Sequence, residues 1–320
     1  MGELLQKLDH DHRLTVKEYG SLLLERDPEL RRLADRARRR QFGNRVHLRC
    51  VLDVSSICQH DCRHCAQGCS ADPRLRYRMR PREILDLCEE SGGLDIRALV
   101  LRCGTDRFYG DEMLCGLIEK LNRSSPDCAL TLALGERSRR SYERLYNAGA
   151  LGYQLLQETA DRERYEAIHS ESLSYDRRLH CLNELRDIGF QTGCGFLLGL
   201  PGQNEMALAR ELKFLEEFQP QTVELVPVGP QDPQLLGDLI SIVRLVLPQA
   251  MIVAPADPAE AVLAGANVVQ MSLIRRRDSF PMCCGNPCDG PATPLSLAAL
   301  KRSVSEVGFE VTMDAPVWNG

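Results

Sequence analysis

Eight short apolar runs, each followed by an amphipathic window, constrain this 320-residue chain more than any other feature. The runs are HLRCVLDVS, IRALVLRC, ALTLALG, GYQLLQE, QTGCGFLLG, TVELVPV, AMIVAPA and NVVQMSL. Most are almost continuously apolar, as strands buried on both faces must be. The windows between them carry the helical period. In SYDRRLHCLNELRDIG, Leu179, Leu182 and Leu185 share a face and Gly189 ends the helix. In NEMALARELKFLEEF, Leu208, Leu212 and Leu215 do the same. Such alternation predicts a parallel α/β fold, and eight strands is the number that closes a (βα)8 TIM-type barrel. The pattern alone also fits a doubly wound open sheet. Residues 1–46 read as an N-terminal helical extension, a cap packed on the barrel, and 47–320 as the barrel with a C-terminal cysteine-containing segment. No linker or low-complexity tract divides the chain.

A formal net charge of −5 and a pI near 5.9 leave no electrostatic footprint for nucleic acid. The basic stretch DPELRRLADRARRRQFG, residues 27–43, places Leu30, Leu33 and Ala37 at core-facing spacing. It reads first as a solvated helix face and second as a polyanion site. No apolar run approaches membrane-spanning length and none follows a basic start, so a cytoplasmic protein is expected. Fourteen cysteines in a reducing compartment are not a disulfide framework. Isolated ones suit the core; clustered ones call for a metal.

The first cluster is SSICQHDCRHCAQG, with Cys58, Cys62 and Cys65. It follows the first predicted strand, at the end where parallel α/β folds bind ligands. The spacing is too compact for a zinc finger and lacks a second ligand pair. Three thiolates can instead hold three irons of a [4Fe–4S] cluster and leave the fourth open for chemistry. A zinc knuckle or plain core cysteines are the alternatives. Cys69 follows too closely to complete the set.

This motif resembles that of radical S-adenosylmethionine (SAM) enzymes. Within that superfamily, QFGNRVHLRC, RYRMRPREIL, PDCALTLALGERSRRSYERLYNAGA, GCGFLLGLPGQ, IVRLVLP, AGANVV and GFEVTM resemble the branch of [FeFe]-hydrogenase maturase HydE and methylornithine synthase, HydE above all. Biotin synthase is a more distant cousin. The resemblance implies a barrel of the radical SAM kind and a cluster on Cys58, Cys62 and Cys65. SAM would sit on the open iron and be cleaved reductively to a 5′-deoxyadenosyl radical. It further implies that Gly104, Thr105, Glu158, Arg178, Gly195 and Gly199 contact SAM. Glu158 would hold SAM, Arg178 would pair with its carboxylate, and the Gly195–Gln203 stretch would lie beside adenine.

Departures from the branch fall around the substrate. Thr105 stands where the family has a glutamate, and Leu156 where HydE has an arginine that could anchor a carboxylate. The loops VGPQDPQLL and APADPAEAVLAG are shorter than their HydE counterparts. His64 reads as a loop residue flanking adenine, without a proton role. Cys283, Cys284 and Cys288 in PMCCGNPCDG could hold an accessory iron–sulfur or zinc site, or no metal. The expected function is HydE-like: a radical acting on a small-molecule substrate in assembly of the hydrogenase diiron subsite. Its partners would be an electron donor such as ferredoxin or flavodoxin and other hydrogenase maturases, with no nucleic acid and no membrane. A methylornithine-synthase-like mutase and a non-catalytic iron–sulfur scaffold are the alternatives.

Overall fold

A computed structural model describes residues 2–70, 76–91, 95–255, 257–273 and 296–315. Cys283, Cys284 and Cys288 lie outside the described residues. The N-terminal stretch forms α1 (Glu3–Asp11), α2 (Val16–Glu25) and α3 (Glu29–Phe42). All eight predicted runs become strands: β1 (Arg45–Asp53), β2 (Ala98–Arg102), β3 (Ala129–Ala133), β4 (Gly152–Gln154), β5 (Gln191–Leu198), β6 (Thr222–Pro227), β7 (Met251–Val253) and β8 (Val268–Ser272). Each pairs in parallel with the next, and β1 pairs with both β2 and β8, so the sheet closes. Closure decides against the open sheet.

Helices connect the strands: α4 (Pro81–Glu90), α5 (Asp111–Ser124), α6 (Arg139–Asn147), α7 (Arg162–Ile168), α8 (Tyr175–Ile188), α9 (Glu205–Phe218), α10 (Pro233–Val246) and α11 (Pro258–Leu263). Their ends follow local chemistry. Ser174 and Asn204 cap α8 and α9 through their side chains, and Gly189 closes α8 with φ +104°. The two short loops after β6 and β7 both end in Asp-Pro, where Asp232 or Asp257 accepts backbone N–H bonds and proline takes the first helical position. After α12 (Leu297–Glu306) a ninth strand, β9 (Glu310–Thr312), pairs in parallel with the start of β1. His47 is partnered by Val268 of β8 and by Thr312, so β9 lies on the opposite edge from β8, the β2 side.

The helical extension packs against the outer helices, α2 on α9 and α3 on α10. This explains α10, whose residues Gly237–Val246 are buried on every face. A helix trapped between a barrel and a second layer must be apolar all round. The exceptions are partnered: Asp238 faces Arg31, Ser241 donates to the Gly237 and Ala264 carbonyls, and the fully buried Arg244 spends its donors on the carbonyls of Gly265, Leu247, Pro248 and Ala250 and on Asn267 Oδ1. The basic stretch of α3 is similarly occupied. Arg38 stacks 4.0 Å over Phe309, and Arg31, Arg32 and Arg39 face Asp238, Glu29 and Asp35. It therefore behaves as a packed and paired helix face.

A polar layer crosses the barrel interior. Arg49 of β1 donates to Gln154 Oε1 of β4 (3.1 Å) and Glu224 Oε2 of β6 (3.3 Å), and Gln270 of β8 donates to Glu224 Oε1 (3.2 Å). Gln154 also donates to Glu224. Burial works against ionisation of Glu224, but the Arg49 charge holds its carboxyl below the usual range.

Next to this layer β5 and β6 approach closely. A Cβ on Gly195, at φ +153°, would stand 1.8 Å from the Glu224 carbonyl oxygen. Strand backbone cannot retreat as a flexible side chain can, so Gly195→Ala is expected to cost on the order of 3 kcal/mol and lower Tm by about 5 °C. Thermal unfolding of the variant beside the parent chain checks this.

Candidate active site

The cysteine loop leaves β1 and returns to α4, and its two ends are tied together. Ser55 and Arg78 form an antiparallel bridge, and Met79 N–H donates to the Val54 carbonyl. Asp106, in the loop after β2, locks that base. It accepts Ser55 Oγ (2.7 Å) and a two-pronged Arg78 contact (2.8 Å each). Within the loop Arg76 braces the carbonyls of Ser56 (2.6 Å), Gln67 (2.8 Å) and Gly68. The half-buried thiols of Cys58, Cys62 and Cys65 are thus carried on a preformed frame, while Cys69 is exposed.

The β2 loop floors this frame. A Cβ on Gly104 would lie 2.6 Å from Cys58 Cβ and 2.9 Å from its sulfur, so only glycine lets Cys58 settle there. Thr105 accepts the Gln59 N–H with its carbonyl (3.0 Å). Its hydroxyl fills the space beside Gly135, where a Cβ would approach to 2.6 Å.

Opposite stands Glu158, just beyond β4. Its backbone is left-handed, φ +68°, an uncommon state for a residue with a Cβ. Its carboxylate gathers three cations or donors: His169 Nε2 at 2.5 Å, His64 Nε2 at 3.2 Å and Arg178 Nη1 at 3.5 Å. Burial opposes the charge, but Arg178 and the two histidine hydrogen bonds outweigh it and hold the carboxyl well below its usual range. Arg178, itself buried, also donates to Glu136 Oε1 (2.8 Å) and to the Leu156 carbonyl (2.5 Å). His169 Nδ1 lies 2.7 Å from the Tyr165 carbonyl, and its ring stacks on Tyr165 at 3.7 Å.

Between the cysteine loop, α7 and the turn after β5 opens a cavity of about 560 Å³, lined by Arg63, His64, Arg164, Ile168, Gly199 and Leu200 among others. Ile168, Leu200 and Val228 give it an apolar wall, backed by Leu197 and Val226. Gly199, at φ +89°, shapes the turn. The room spared by Gly195 is filled by protein, namely the Glu224 carbonyl.

His169, Glu136, Arg49 and Glu224 escaped the sequence reading. Arg49, Gln154, Glu224 and Gln270 left a signal, since each interrupts an apolar strand. His169 left none, because a lone histidine at a helix end has no periodic meaning. His64, expected as a loop residue flanking adenine, has its Nε2 3.2 Å from the Glu158 carboxylate.

A single tetrahedral zinc would draw its thiolates to within about 3.8 Å of one another. Among the described residues only His64, Glu158 and His169 converge within 4.8 Å, so the three thiols are spread more widely. The all-thiolate donor set and the Gly104 cradle that seats Cys58 fit an iron–sulfur cluster.

The signature of the radical SAM superfamily matches residues 52–215. The chain belongs to that superfamily. The [FeFe] hydrogenase maturase subunit HydE of Thermotoga maritima is 30% identical over 292 residues, 83% of this chain and 82% of that one. The 3-methylornithine synthase of Methanosarcina acetivorans is 25% identical over 287 residues, 82% and 81% of the two chains. Among solved structures, methylornithine synthase superposes with a TM-score of 0.83 over 97% of both chains at 23% identity. The hydrogenase maturase HydG gives 0.81 over 97% of this chain and 75% of that one at 19%. These two structural likenesses establish the barrel. The chain is therefore a radical SAM enzyme of the HydE and methylornithine synthase branch, a family that works with a [4Fe–4S] cluster and SAM. No helix among the described residues is long and apolar enough to cross a membrane.

The depressed Glu158 carboxyl makes a pH prediction. Its stabilising contribution is complete above the unfolded-state value of 4.5 and is lost as pH falls toward the lower folded value. Denaturant titrations of the apoprotein between pH 5 and pH 3 should therefore show a steeper loss than in Glu158→Gln. The difference in slope should approach about 1.4 kcal/mol per pH unit.

Proposed function

We propose that this chain is a HydE-like maturase, using SAM radical chemistry on a small substrate during assembly of the [FeFe]-hydrogenase diiron subsite. The observation that carries this reading is the 30% identity to HydE across more than four-fifths of both chains. Cys58, Cys62 and Cys65 would hold the cluster. When bound, that cluster supplies the electron that cleaves SAM at its open iron. Glu158 would accept polar groups of SAM, Arg178 would meet its carboxylate with a planar fork, and the Ile168–Leu200 wall would take the adenosine. Gly104 would serve by seating Cys58. Thr105 would offer a hydroxyl where the branch has a carboxylate. The chain would work with an electron donor such as ferredoxin or flavodoxin and alongside other maturases.

A second reading, a small-molecule mutase like methylornithine synthase, is favoured by Leu156. An arginine there could anchor a substrate carboxylate; here the side chain is apolar and only the Leu156 carbonyl is used, by Arg178.

Two experiments separate these readings. After anaerobic reconstitution the reduced protein should release 5′-deoxyadenosine from SAM, and Cys58→Ala, Cys62→Ala or Cys65→Ala should each abolish release. A protein that binds a cluster yet releases none would be a carrier instead. Expression in a strain lacking its own HydE should restore hydrogenase activity, and failure with active protein would leave the mutase reading.

A further inference from the structure

One buried carboxylate in the barrel wall is answered only by neutral donors. Glu211 of α9 is fully buried. It accepts Thr159 Oγ1 at 2.7 Å, Ala160 N–H at 2.6 Å and Gln157 Nε2 at 3.4 Å. Gln157 and Thr159 are the immediate neighbours of Glu158, and Ala160 is the next residue along. Gln157 passes the contact on, since its Oε1 accepts Gly195 N–H (3.1 Å) and the Cys194 thiol (2.9 Å).

We propose that Glu211 is a positioning residue for SAM binding, one that clamps the chain on both sides of Glu158 and so enforces its left-handed backbone. The inference rests on the assignment of Glu158 as a SAM ligand.

The physical argument starts from strain. A left-handed residue with a Cβ costs roughly 1–2 kcal/mol and persists only where its surroundings over-determine it. Strand β5 supplies part of that restraint, with Glu158 N–H donating to the Gly195 carbonyl (3.1 Å) and Leu197 N–H to the Glu158 carbonyl (2.9 Å). Those bonds hold Glu158 itself to β5. They do not fix the residues at 159 and 160, where the chain turns away to α7. Glu211 holds both, and Gln157 as well.

Stability alone does not explain an acid here. Burial pushes its carboxyl up to about 7 against the pull of its donors, and an apolar side chain of similar volume would avoid that cost. What the carboxylate provides is three acceptor contacts in fixed directions. A misplaced Glu158 would also shift the groups that meet on it, His64, His169 and Arg178, so a change at Glu211 should be read in SAM affinity.

The test uses the full chain with its cluster reconstituted anaerobically. Three quantities are measured: iron per chain, Tm, and the SAM dissociation constant from the change in the reduced cluster's EPR signal. Glu211→Leu should keep its iron and lose SAM affinity on the order of tenfold to a hundredfold. Glu211→Gln should restore near-parental affinity, because the amide oxygen can accept the Ala160 and Gln157 bonds while the Thr159 hydroxyl turns to accept from the amide nitrogen. Parental affinity in Glu211→Leu would overturn the proposal, as would an equal loss in Glu211→Gln. If Glu211→Leu does not fold, Thr159→Val removes one of the three Glu211 contacts, together with the longer bond that the same hydroxyl accepts from Asp161 N–H (3.2 Å). It should give a smaller loss of affinity at unchanged iron content, and no loss would overturn the proposal. Glu158→Gln runs beside them. Parental affinity in that variant would overturn the SAM assignment of Glu158, a failure distinct from a Glu211 variant that binds SAM normally while Glu158→Gln does not.

Discussion

Parallel pairing of β1 with β2 is the constraint on which the barrel mouth depends. The register Cys50↔Leu99 to Asp53↔Arg102 closes the sheet and brings two loops out side by side. Arg102 then grips Asp53 with Nε at 2.6 Å and Nη2 at 3.1 Å, pinning the two strand ends. Just above, Gly104 receives Cys58 and Asp106 receives Ser55 and Arg78. A slip of one residue would turn every side chain of β1 to the other face. It would also lift Cys58 off the one position without a Cβ. The cysteine loop, residues 54–80, is long, and its two ends are placed by this strand pairing.

Across the mouth the organising force is charge. Glu136 and Glu158 flank Arg178, and His64 and His169 add donors to Glu158. Removing one member would leave a buried charge without its partner, the situation that costs most. The site therefore holds its shape before any ligand arrives. A ligand bearing both an ammonium and a carboxylate would meet carboxylates and a guanidinium already oriented, with little ordering left to do.

Much of this was legible in the sequence, for identifiable reasons. Strands buried on both faces print as apolar runs, so all eight were found, and the cysteine spacing stands out because three soft ligands within eight residues have few uses. Strand β9 was missed because three residues in GFEVTM carry no period. The role of Gly195 was only half visible: glycine signals a close approach, but which atom approaches is settled by the register of β5 with β6. The His64–Glu158–His169 grouping was invisible because it joins loops from three parts of the chain. Sequence separation hides such groups unless tertiary structure brings them together.

The polar layer inside the barrel bears on what can react there. TIM barrels ordinarily fill this space with branched apolar side chains. Here Arg49, Gln154, Glu224 and Gln270 span it from four strands, linked through Glu224. The Arg49 and Glu224 charges cancel, so the layer forms a floor without net attraction for an ion. The Asp53–Arg102 pair lies at the ends of β1 and β2. Neutralising Glu224 alone would strand the Arg49 cation in the interior and turn an inert floor into an anion trap. Neutralising both together would keep the floor uncharged. The Arg49–Glu224 pair therefore belongs in the lumen as a unit, each charge answered by the other.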